Sequence, residues 1–455
     1  MKRTLIRNAR LVDEGAVGKG ALLIEGDRIE AIFPPEATPE ADSLPEGTAV
    51  VEAEGLLLLP GIIDTHVHFR DGGHADNPAG DFLGESRAAR AGGVTSVVDM
   101  PNTRPQTTSL EALEAKEEAA AARCMVNYGF MLGATRENID RLVEVDPARY
   151  AAIKLFLGSS TGNMLVDDEE RLDTLFRKAR KLIVAHCEDE ATVRHNLEEA
   201  RSRYAGTAAE RAALHPLIRT AGACLESSRK AVERARRYGT RFHIAHLTTA
   251  AELGLLEPGP VAGKQITAEV SPNHLWFDDS AYPLLGNKIK CNPAIKGPAD
   301  RQALWLGLQE GLIDTVATDH APHTLEAKSK PYFDAPSGIP SIQHSLQMMI
   351  ELALHSTSGI HAGDADYWLP LIVEKMCHAP ATLFGIKERG YLRPGYKADL
   401  VLVDLGGATT VEAADLKSKC GWSPLEGITL HSRIVDTYVN GCNHECPGEA
   451  LAFSR

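Results

Sequence analysis

The chain has 455 residues, of which 44% are hydrophobic and 24% are charged, and its formal net charge is −14. This length allows one large domain with a small one, or two to three average domains, and the composition excludes a disordered chain. The negative charge argues against nucleic acid as a partner, because phosphate binding requires clustered Lys and Arg, but a locally positive pocket can still hold a small anionic substrate.

The N-terminus and the cysteines predict a cytoplasmic protein. The opening residues, MKRTLIRNARLVDEG, carry charges without the apolar core of a signal peptide, and no apolar run has the length of a membrane span. The eight cysteines include no Cys-x-x-Cys pair, and no second pair accompanies Cys442 and Cys446. We therefore expect thiols in a reducing compartment, rather than disulfides or a zinc knuckle.

Short β-type runs open the chain. TLIRNARLV and GALLIEGDRIEAI are broken by Gly and Asp turns. LLLLPGIIDTHVHF then begins a strand that is apolar on both faces, which is typical of a buried parallel sheet. Runs of β character return near the C-terminus in GYLRPGYKADLVLVD and RIVDTYVNG. These patterns predict a small β-sandwich domain that is built from both termini.

Between the two ends, apolar strand candidates alternate with helical stretches such as SLEALEAKEEAAAARC and SSRKAVERARRYG. One strand ends at His68, and seven more lie at 93–100, 125–132, 151–157, 182–188, 241–247, 265–271 and 312–321. Eight such units predict an α/β fold, a (β/α)8 TIM-like barrel. A doubly wound sheet is the alternative, but no Gly-x-Gly-x-x-Gly follows the first strand. The predicted division is 1–56 and 388–455 for the small β domain and 57–387 for a metal-dependent catalytic barrel.

Polar side chains interrupt these strands near their carboxyl ends, where such a barrel carries its active site. His66 and His68 lie on the first strand, and the alternation of side chains puts both imidazoles on one face. Alone, this pair is more typical of surface or hydrogen-bonded histidines than of metal ligands. His186, His246 and Asp319 lie at later strand ends. Five converging N and O ligands are too many for one tetrahedral metal and suit two.

Two further roles can be assigned from chemistry. Lys154, in AAIKLFLGSS, would be repelled by two cations, whereas its neutral amine can react with carbon dioxide to give an anionic carbamate that bridges them. The residues alone equally allow a lysine that is paired with an acid or that extends out of the barrel. Asp319, in ATDHAPH, is predicted to move the proton between the attacking hydroxide and the leaving nitrogen, with orientation of a histidine as the alternative.

The motifs DTHVHFR, IKLFLG, AHCED, IAHLTT and ATDHAPH occur in the order typical of the amidohydrolase superfamily, which the chain resembles over nearly its whole length. Within it, the chain is similar to the dihydroorotase family. Arg70 follows the histidine pair, DMPNT contains Asn102, KCNPAIK contains Asn292, and DHAPH contains His323. The resemblance implies that these four residues hold the carboxylate and ring of the substrate, and that Gly338, in APSGIPS, touches the ring through its backbone.

Some of these residues also allow a plainer role. Asn102 and Asn292 both neighbour prolines and could be turn residues. A surface ion pair is a less suitable explanation for Arg70, because Arg70 lies beside two candidate metal ligands. A guanidinium can also bind a carboxylate through two parallel hydrogen bonds. His320 and His243 are expected to be structural.

The resemblance implies a hydrolase of cyclic amide C–N bonds that interconverts N-carbamoyl-L-aspartate and L-dihydroorotate in pyrimidine biosynthesis. It implies two divalent metal ions with a metal-activated hydroxide, a carbamate on Lys154, and Asp319 as the proton shuttle. The N and O ligands favour zinc. A homo-oligomer is also implied, and an association with a carbamoyltransferase is left open.

The chain departs from the family pattern twice. Many bacterial relatives of this size carry an aspartate at the position of Lys154. The family's Arg-x-Pro-Gly is replaced after Arg70 by DGGHADNPAGDFLGES, so we expect the arginine to be less rigidly placed. Rival functions are dihydropyrimidinase (hydantoinase) or allantoinase, which give no reason for Arg70, and a non-catalytic homologue that only assembles with a partner enzyme. Such a homologue would have lost metal ligands, and this chain has lost none.

Overall fold

A computed structural model describes residues 2–40, 43–73, 77–158, 164–203, 211–355, 361 and 363–454. Five strands at the start of the chain belong to one sheet. Their bounds are Arg3–Asp13 (β1), Ala16–Glu25 (β2), Arg28–Phe33 (β3), Ala49–Glu52 (β4) and Leu57–Pro60 (β5). β2 pairs antiparallel with both β1 and β3, whereas β4 and β5 each pair in parallel with a different part of β1.

The barrel follows, and its strands run in parallel around a closed order. Their bounds are Ile62–Val67 (β6), Val94–Asp99 (β7), Asn127–Phe130 (β8), Leu132–Gly133 (β9), Ile153–Phe156 (β10), Ile183–His186 (β11), Phe242–Ile244 (β12), Ile266–Val270 (β13) and Thr315–Val316 (β14). Only Met131 separates β8 from β9, so the two form a single barrel position. Neighbours along the chain pair in sequence order, and a parallel bridge between Val67 and His320 joins the first strand to the residues after the last. The predicted barrel, with its eight strands at the predicted positions, is confirmed.

Helices alternate with these strands. Their bounds are Phe82–Ala91 (α1), Leu110–Arg123 (α2), Ile139–Leu142 (α3), Glu169–Lys178 (α4), Glu190–Arg203 (α5), His215–Ile218 (α6), Ala221–Tyr238 (α7), Pro272–Trp276 (α8), Tyr282–Leu285 (α9), Pro298–Gln309 (α10), Leu325–Lys328 (α11), Ser345–His355 (α12), Ala365–Val373 (α13) and Ala379–Phe384 (α14). The two helices predicted above are α2 and α7. The hydroxyl of Ser109 caps α2 by accepting a hydrogen bond from the N–H of Ala112, and α7 ends at Gly239, whose φ of +70° suits glycine.

Two of the last four strands return to the first sheet. Their bounds are Leu400–Asp404 (β15), Thr409–Thr410 (β16), Thr429–Leu430 (β17) and Arg433–Tyr438 (β18). β15 pairs antiparallel with β5 and β18, which gives the order β18-β15-β5-β1-β2-β3, whereas β16 and β17 pair only with each other in the described part of the chain. A small β domain from both termini is thus confirmed, and its exact boundaries stay a prediction. At Gly61, between β5 and β6, a Cβ would lie 2.2 Å from Oγ1 of Thr95, so glycine is required where the chain enters the barrel.

The largest apolar cluster lies between the barrel strands and the helices and includes Val97, Ile153, Ile183, Ile244 and Val316. Burying one such side chain contributes roughly 1.5–3 kcal/mol. The close packing of many of them holds the strand ends, and the polar side chains that follow, in fixed positions.

Cys442 and Cys446 are joined by a disulfide bond, so the prediction of thiols is wrong for this pair. Val439 and Cys442 exchange two backbone hydrogen bonds of 2.9 and 3.0 Å, so the chain turns directly before the disulfide-bonded segment. The remaining cysteines are free thiols, five of them buried and Cys420 half-buried. Separately, no helix in the described ranges is both long and apolar enough to span a lipid bilayer.

Candidate active site

A cavity of about 200 Å³ opens at the carboxyl ends of the barrel strands. All eleven residues that the sequence predicts for the site line it: His66, His68, Arg70, Asn102, Lys154, His186, His246, Asn292, Asp319, His323 and Gly338. Phe156, Ala321, Pro336 and Ser337 complete the wall. The barrel therefore brings the whole predicted set to one place, although its members lie as far apart as residues 66 and 338.

His66, His68 and Asp319 form the centre of this cavity. Oδ1 of Asp319 lies 3.3 Å from Nε2 of His66 and 3.1 Å from Nε2 of His68. Burial alone would raise the pKa of Asp319, but the two histidines outweigh it and hold that pKa below its ordinary value. Each residue offers one ligand atom within 4.8 Å of the others, so the three could hold a metal ion.

His186 and His246 lie beside this centre. Nδ1 of His186 is 3.0 Å from Nε2 of His246, and the ring centroids of His66 and His246 are 5.2 Å apart. Burial lowers the pKa of both His186 and His246, and it lowers that of His68 to about 4. The imidazoles are therefore neutral at pH 7, which is the form that binds metals.

Lys154 points into the same cavity from β10. Its side chain is buried, and Nζ has no hydrogen-bond partner among the residues that the structure describes. Burial lowers its pKa to about 8. The alternative that Lys154 pairs with an acid finds no support, because no described carboxylate lies within ion-pair distance of Nζ.

The predicted substrate residues line the rest of the wall. Nε of Arg70 donates to the carbonyl of Pro322 at 3.2 Å, and a terminal nitrogen of Arg70 lies 3.0 Å from Nε2 of His323. Burial and Arg70 lower the pKa of His323 to about 2, so its ring is neutral. Oδ1 of Asn292 is buried without a partner in the described ranges and can accept a hydrogen bond from a ligand.

Asn102 and Gly338 make contacts that their predicted roles did not include. Oδ1 of Asn102 lies 2.8 Å from Nδ1 of His68, which leaves Nε2 of that ring facing Asp319. Gly338 has a φ of +146°, and a Cβ there would lie 2.3 Å from the carbonyl oxygen of Ala321, so the position requires glycine. Its N–H donates to the carbonyl of Lys290 at 2.8 Å.

Two buried glutamates behind the histidines were missed by sequence reasoning. Glu269, on β13, contacts Nδ1 of His66 and lies 3.4 Å from Nε2 of His243. Glu188 lies 2.8 Å from Nε2 of His186 and forms an ion pair with Arg219. The only signal in the sequence was an acidic residue inside or directly after an apolar strand.

The Asp-Gly-Gly segment after Arg70 is anchored through Asp71, which was also missed. The buried carboxylate of Asp71 accepts hydrogen bonds from the N–H groups of Gly73 and Phe82, at 2.9 and 3.2 Å, and from Arg123 at 2.8 Å. Gly72 permits a close approach, because a Cβ there would lie 2.2 Å from the carbonyl oxygen of Arg104. Residues 74–76 lie outside the described ranges. Asp71 therefore holds the described part of the segment, and how rigidly Arg70 is placed stays a prediction.

A buried lysine supports the opposite wall of the cavity. Nζ of Lys328 donates to the carbonyls of Lys290, Pro336 and Gly338, at 3.1, 3.1 and 2.8 Å. Nζ of Lys290 in turn donates to the carbonyls of Tyr332 and Ala335. The segment that carries Gly338 is therefore held by the side chains of two buried lysines.

The sequence profile of the amidohydrolase family matches residues 57–442. The chain belongs to the amidohydrolase family. It is 34% identical over 431 residues to a dihydroorotase from Halobacterium salinarum, covering 93% of this chain and 92% of that protein. It is 27% identical over 447 residues to an allantoinase from Salmonella paratyphi B, covering 96% and 94%. L-Hydantoinase (dihydropyrimidinase) from Arthrobacter aurescens matches this amidohydrolase with a TM-score of 0.88 at 24% identity, covering 99% and 100%.

These findings confirm the family resemblance and the prediction of a hydrolase, and the likeness to L-hydantoinase shows the fold alone. The donor set of this amidohydrolase also fits divalent metal ions. Besides the cluster of His66, His68 and Asp319, Nζ of Lys154 and Nδ1 of His246 are buried without partners in the part of the chain described. A buried polar atom without a partner costs roughly 1–3 kcal/mol, and an ion bound at Nδ1 of His246 would remove that cost there.

Proposed function

We propose that this amidohydrolase is a dihydroorotase that catalyses the reversible cyclisation of N-carbamoyl-L-aspartate to L-dihydroorotate and water. The observation that carries this proposal is the position of Arg70. Its guanidinium lies in the cavity wall beside the histidines, and no carboxylate lies within ion-pair distance of it in the described ranges. A half-buried guanidinium without an acidic partner is a ready site for a carboxylate of the substrate.

We further propose that the cavity holds two divalent metal ions, most simply zinc. His66, His68, His186, His246 and Asp319 would be ligands, together with a carbamate on Lys154. The carbamate forms when the neutral amine adds to carbon dioxide and releases one proton. The low pKa and the missing partner of Nζ favour this modification. When bound, the two ions lower the pKa of water and polarise the amide carbonyl.

Asp319 would then transfer the proton. In the hydrolytic direction its carboxylate takes a proton from the attacking water and delivers it to the leaving ring nitrogen. The reverse transfer serves cyclisation. The contacts of Asp319 with Nε2 of His66 and Nε2 of His68 support this role, because its lowered pKa keeps the carboxylate ionised and able to accept a proton.

Arg70 and His323 would bind the substrate carboxylate, while Asn292 and the backbone at Gly338 would face the ring. Oδ1 of Asn292 can accept a ring N–H, because it is buried without a partner in the described ranges. Asn102 would support the site through its contact with His68, and we also propose that it contacts the substrate directly. Assembly as a homo-oligomer, and association with a carbamoyltransferase, stay predictions.

Allantoinase and hydantoinase activities are the second candidates, because an allantoinase is among the relatives and L-hydantoinase shares the fold. Their substrates lack the carboxylate that Arg70 would bind. The deciding experiment supplies the purified, metal-loaded protein with dihydroorotate, allantoin, hydantoin and dihydrouracil in parallel. We expect turnover of dihydroorotate, and of N-carbamoyl-L-aspartate in the reverse direction. Turnover of a neutral ring with none of dihydroorotate would overturn the proposal.

A further inference from the structure

Three potential metal ligands meet on a surface segment that follows β18 and contributes nothing to the barrel cavity. They are Cys442, His444 and Cys446, which alternate along the segment. Sγ of Cys442 lies 3.4 Å from Nδ1 and 3.5 Å from Nε2 of His444, and each of the three residues offers a ligand atom within 4.8 Å of the others. Of the three such clusters in the described ranges, this is the one that contains sulfur.

The residues between these ligands are anchored independently of them. Asn443 donates to the carboxylate of Asp436 at 2.9 Å. Glu445 receives two hydrogen bonds from Arg87, at 2.7 and 2.8 Å. Arg90 donates to the carbonyl of Cys442 at 2.6 Å. These contacts come from β18 and α1, so the segment has anchors besides the disulfide.

We propose that the reduced Cys442–His444–Cys446 segment binds one thiophilic divalent cation such as Zn²⁺, and that the disulfide is its oxidised, metal-free form. Two cysteines separated by three residues match the ligand spacing of protein zinc sites, and a thiolate–imidazole set is typical for that ion. Three protein ligands leave one coordination position for water. The half-buried sulfurs and the exposed imidazole are accessible to an ion from solvent.

Reduction by a dithiol converts the disulfide form of the segment into the form that binds the cation. A dithiol reductant reduces the bond between Cys442 and Cys446: its own two sulfurs become a disulfide, and its two protons end on the cysteine sulfurs. Binding of the cation then releases both protons to solvent, since thiolates are the ligating form. A purely structural disulfide accounts for the two cysteines but gives no role to His444, whose ring lies against Sγ of Cys442.

Cobalt(II) is the probe, because thiolate ligands give it an intense near-ultraviolet charge-transfer band and the N and O ligands of the barrel do not. Full-length protein is reduced with a dithiol, freed of reductant without air, and titrated. We expect a thiolate–cobalt band whose intensity at saturation corresponds to one thiolate-bound ion per chain, and no band from the oxidised protein. His444→Ala should weaken this binding at least about tenfold, and Cys446→Ser, which leaves one thiolate, should reduce the intensity of the band at saturation by at least half. Cys420→Ser, which removes a half-buried thiol elsewhere, should leave it unchanged.

A reduced protein without the band would overturn the proposal, as would a band of undiminished intensity in Cys446→Ser. Folding of each variant is checked by its thermal unfolding, and His444→Ala keeps both cysteines should Cys446→Ser unfold. Turnover of dihydroorotate is measured on the same samples. It should be unchanged in His444→Ala, so a failure of the barrel chemistry and a failure of this site give different results.

Discussion

The carboxylate of Glu269 contacts Nδ1 of His66 in the interior of the barrel and so determines which ring nitrogen faces the cavity. With Nδ1 occupied, Nε2 of His66 points to Asp319 at 3.3 Å. The same carboxylate accepts a hydrogen bond from the backbone N–H of His246 at 3.2 Å. One buried side chain on β13 thus orients the ring of His66 and also holds the backbone of His246, as a supporting carboxylate does behind a metal ligand.

Glu269→Gln should weaken divalent metal binding by about 10- to 100-fold, the range for loss of such a supporting carboxylate. The amide keeps the size of the side chain but cannot accept at both oxygens from His66 and His243. Affinity is measured by competition with a chelator on metal-free protein. Glu252→Gln is the matched control, because Glu252 is equally buried but bonds to Ser228 and Thr249, away from the proposed ligands. Equal metal affinities in the two variants would contradict this role for Glu269.

The residues proposed as ligands could be selected from the sequence because each lies within, or directly after, an otherwise apolar strand. His66, Lys154 and Asp319 are expensive to bury without a purpose, and the topology of the barrel collects such residues on one rim. The closed order of parallel strands followed from eight alternating apolar and helical segments, so the fold and the place of the site could both be predicted.

The supporting residues could not be predicted, because their partners are distant along the chain. Glu269 lies 203 residues from His66, and Asp71 lies 52 residues from Arg123. An acidic residue in a strand, or an Asp-Gly-Gly turn, carries no sign of what it will contact once the chain has folded. The same holds for Lys328, whose three acceptors are backbone carbonyls and so have no signature in the side chains.

Lys154→Met should stabilise the metal-free protein at pH 7 and change its response to pH. Burial lowers the pKa of Lys154 from 10.5 to about 8, so between these values the unfolded chain holds more protons than the folded one. Below pH 8, burial of the charged Lys154 destabilises the folded, metal-free parent by about 3 kcal/mol. This destabilisation should disappear as pH increases from 8 to 10.5, so the free energy of unfolding should rise over that range.

Chemical denaturation of chelator-treated parent and variant across this range measures the effect. We expect the difference in the free energy of unfolding to favour Lys154→Met at pH 7 and to shrink towards pH 10.5. The metal-loaded variant should also bind fewer ions than the parent. A constant difference in stability across the range would show that the charge of Lys154 has no part in it.

Arg70→Ala should lower kcat/KM for dihydroorotate by about 10- to 100-fold, which corresponds to the loss of one or two charge-assisted hydrogen bonds. The change should appear mainly in KM, because the guanidinium binds the carboxylate in the ground state as well as in the transition state. Steady-state kinetics test this, with metal content measured on the same samples. Arg123→Lys is a useful comparison, since it perturbs the anchor of Asp71 without removing the guanidinium of Arg70. An unchanged KM in Arg70→Ala would exclude the carboxylate contact.

Asp319→Asn should lower kcat by about 10²- to 10⁴-fold, the usual contribution of a positioned proton carrier, while metal stays bound. The asparagine retains an oxygen beside His66 and His68 but cannot take a proton from water at pH 7. Metal analysis and single-turnover kinetics separate the two effects. Asp314→Asn provides the control, because Asp314 is a buried carboxylate at the other end of the same strand, where it pairs with Lys264 at 2.8 Å. If Asp319→Asn turned over substrate as fast as this control, another residue would have to transfer the proton. If it lost its metal instead, Asp319 would act mainly as a ligand.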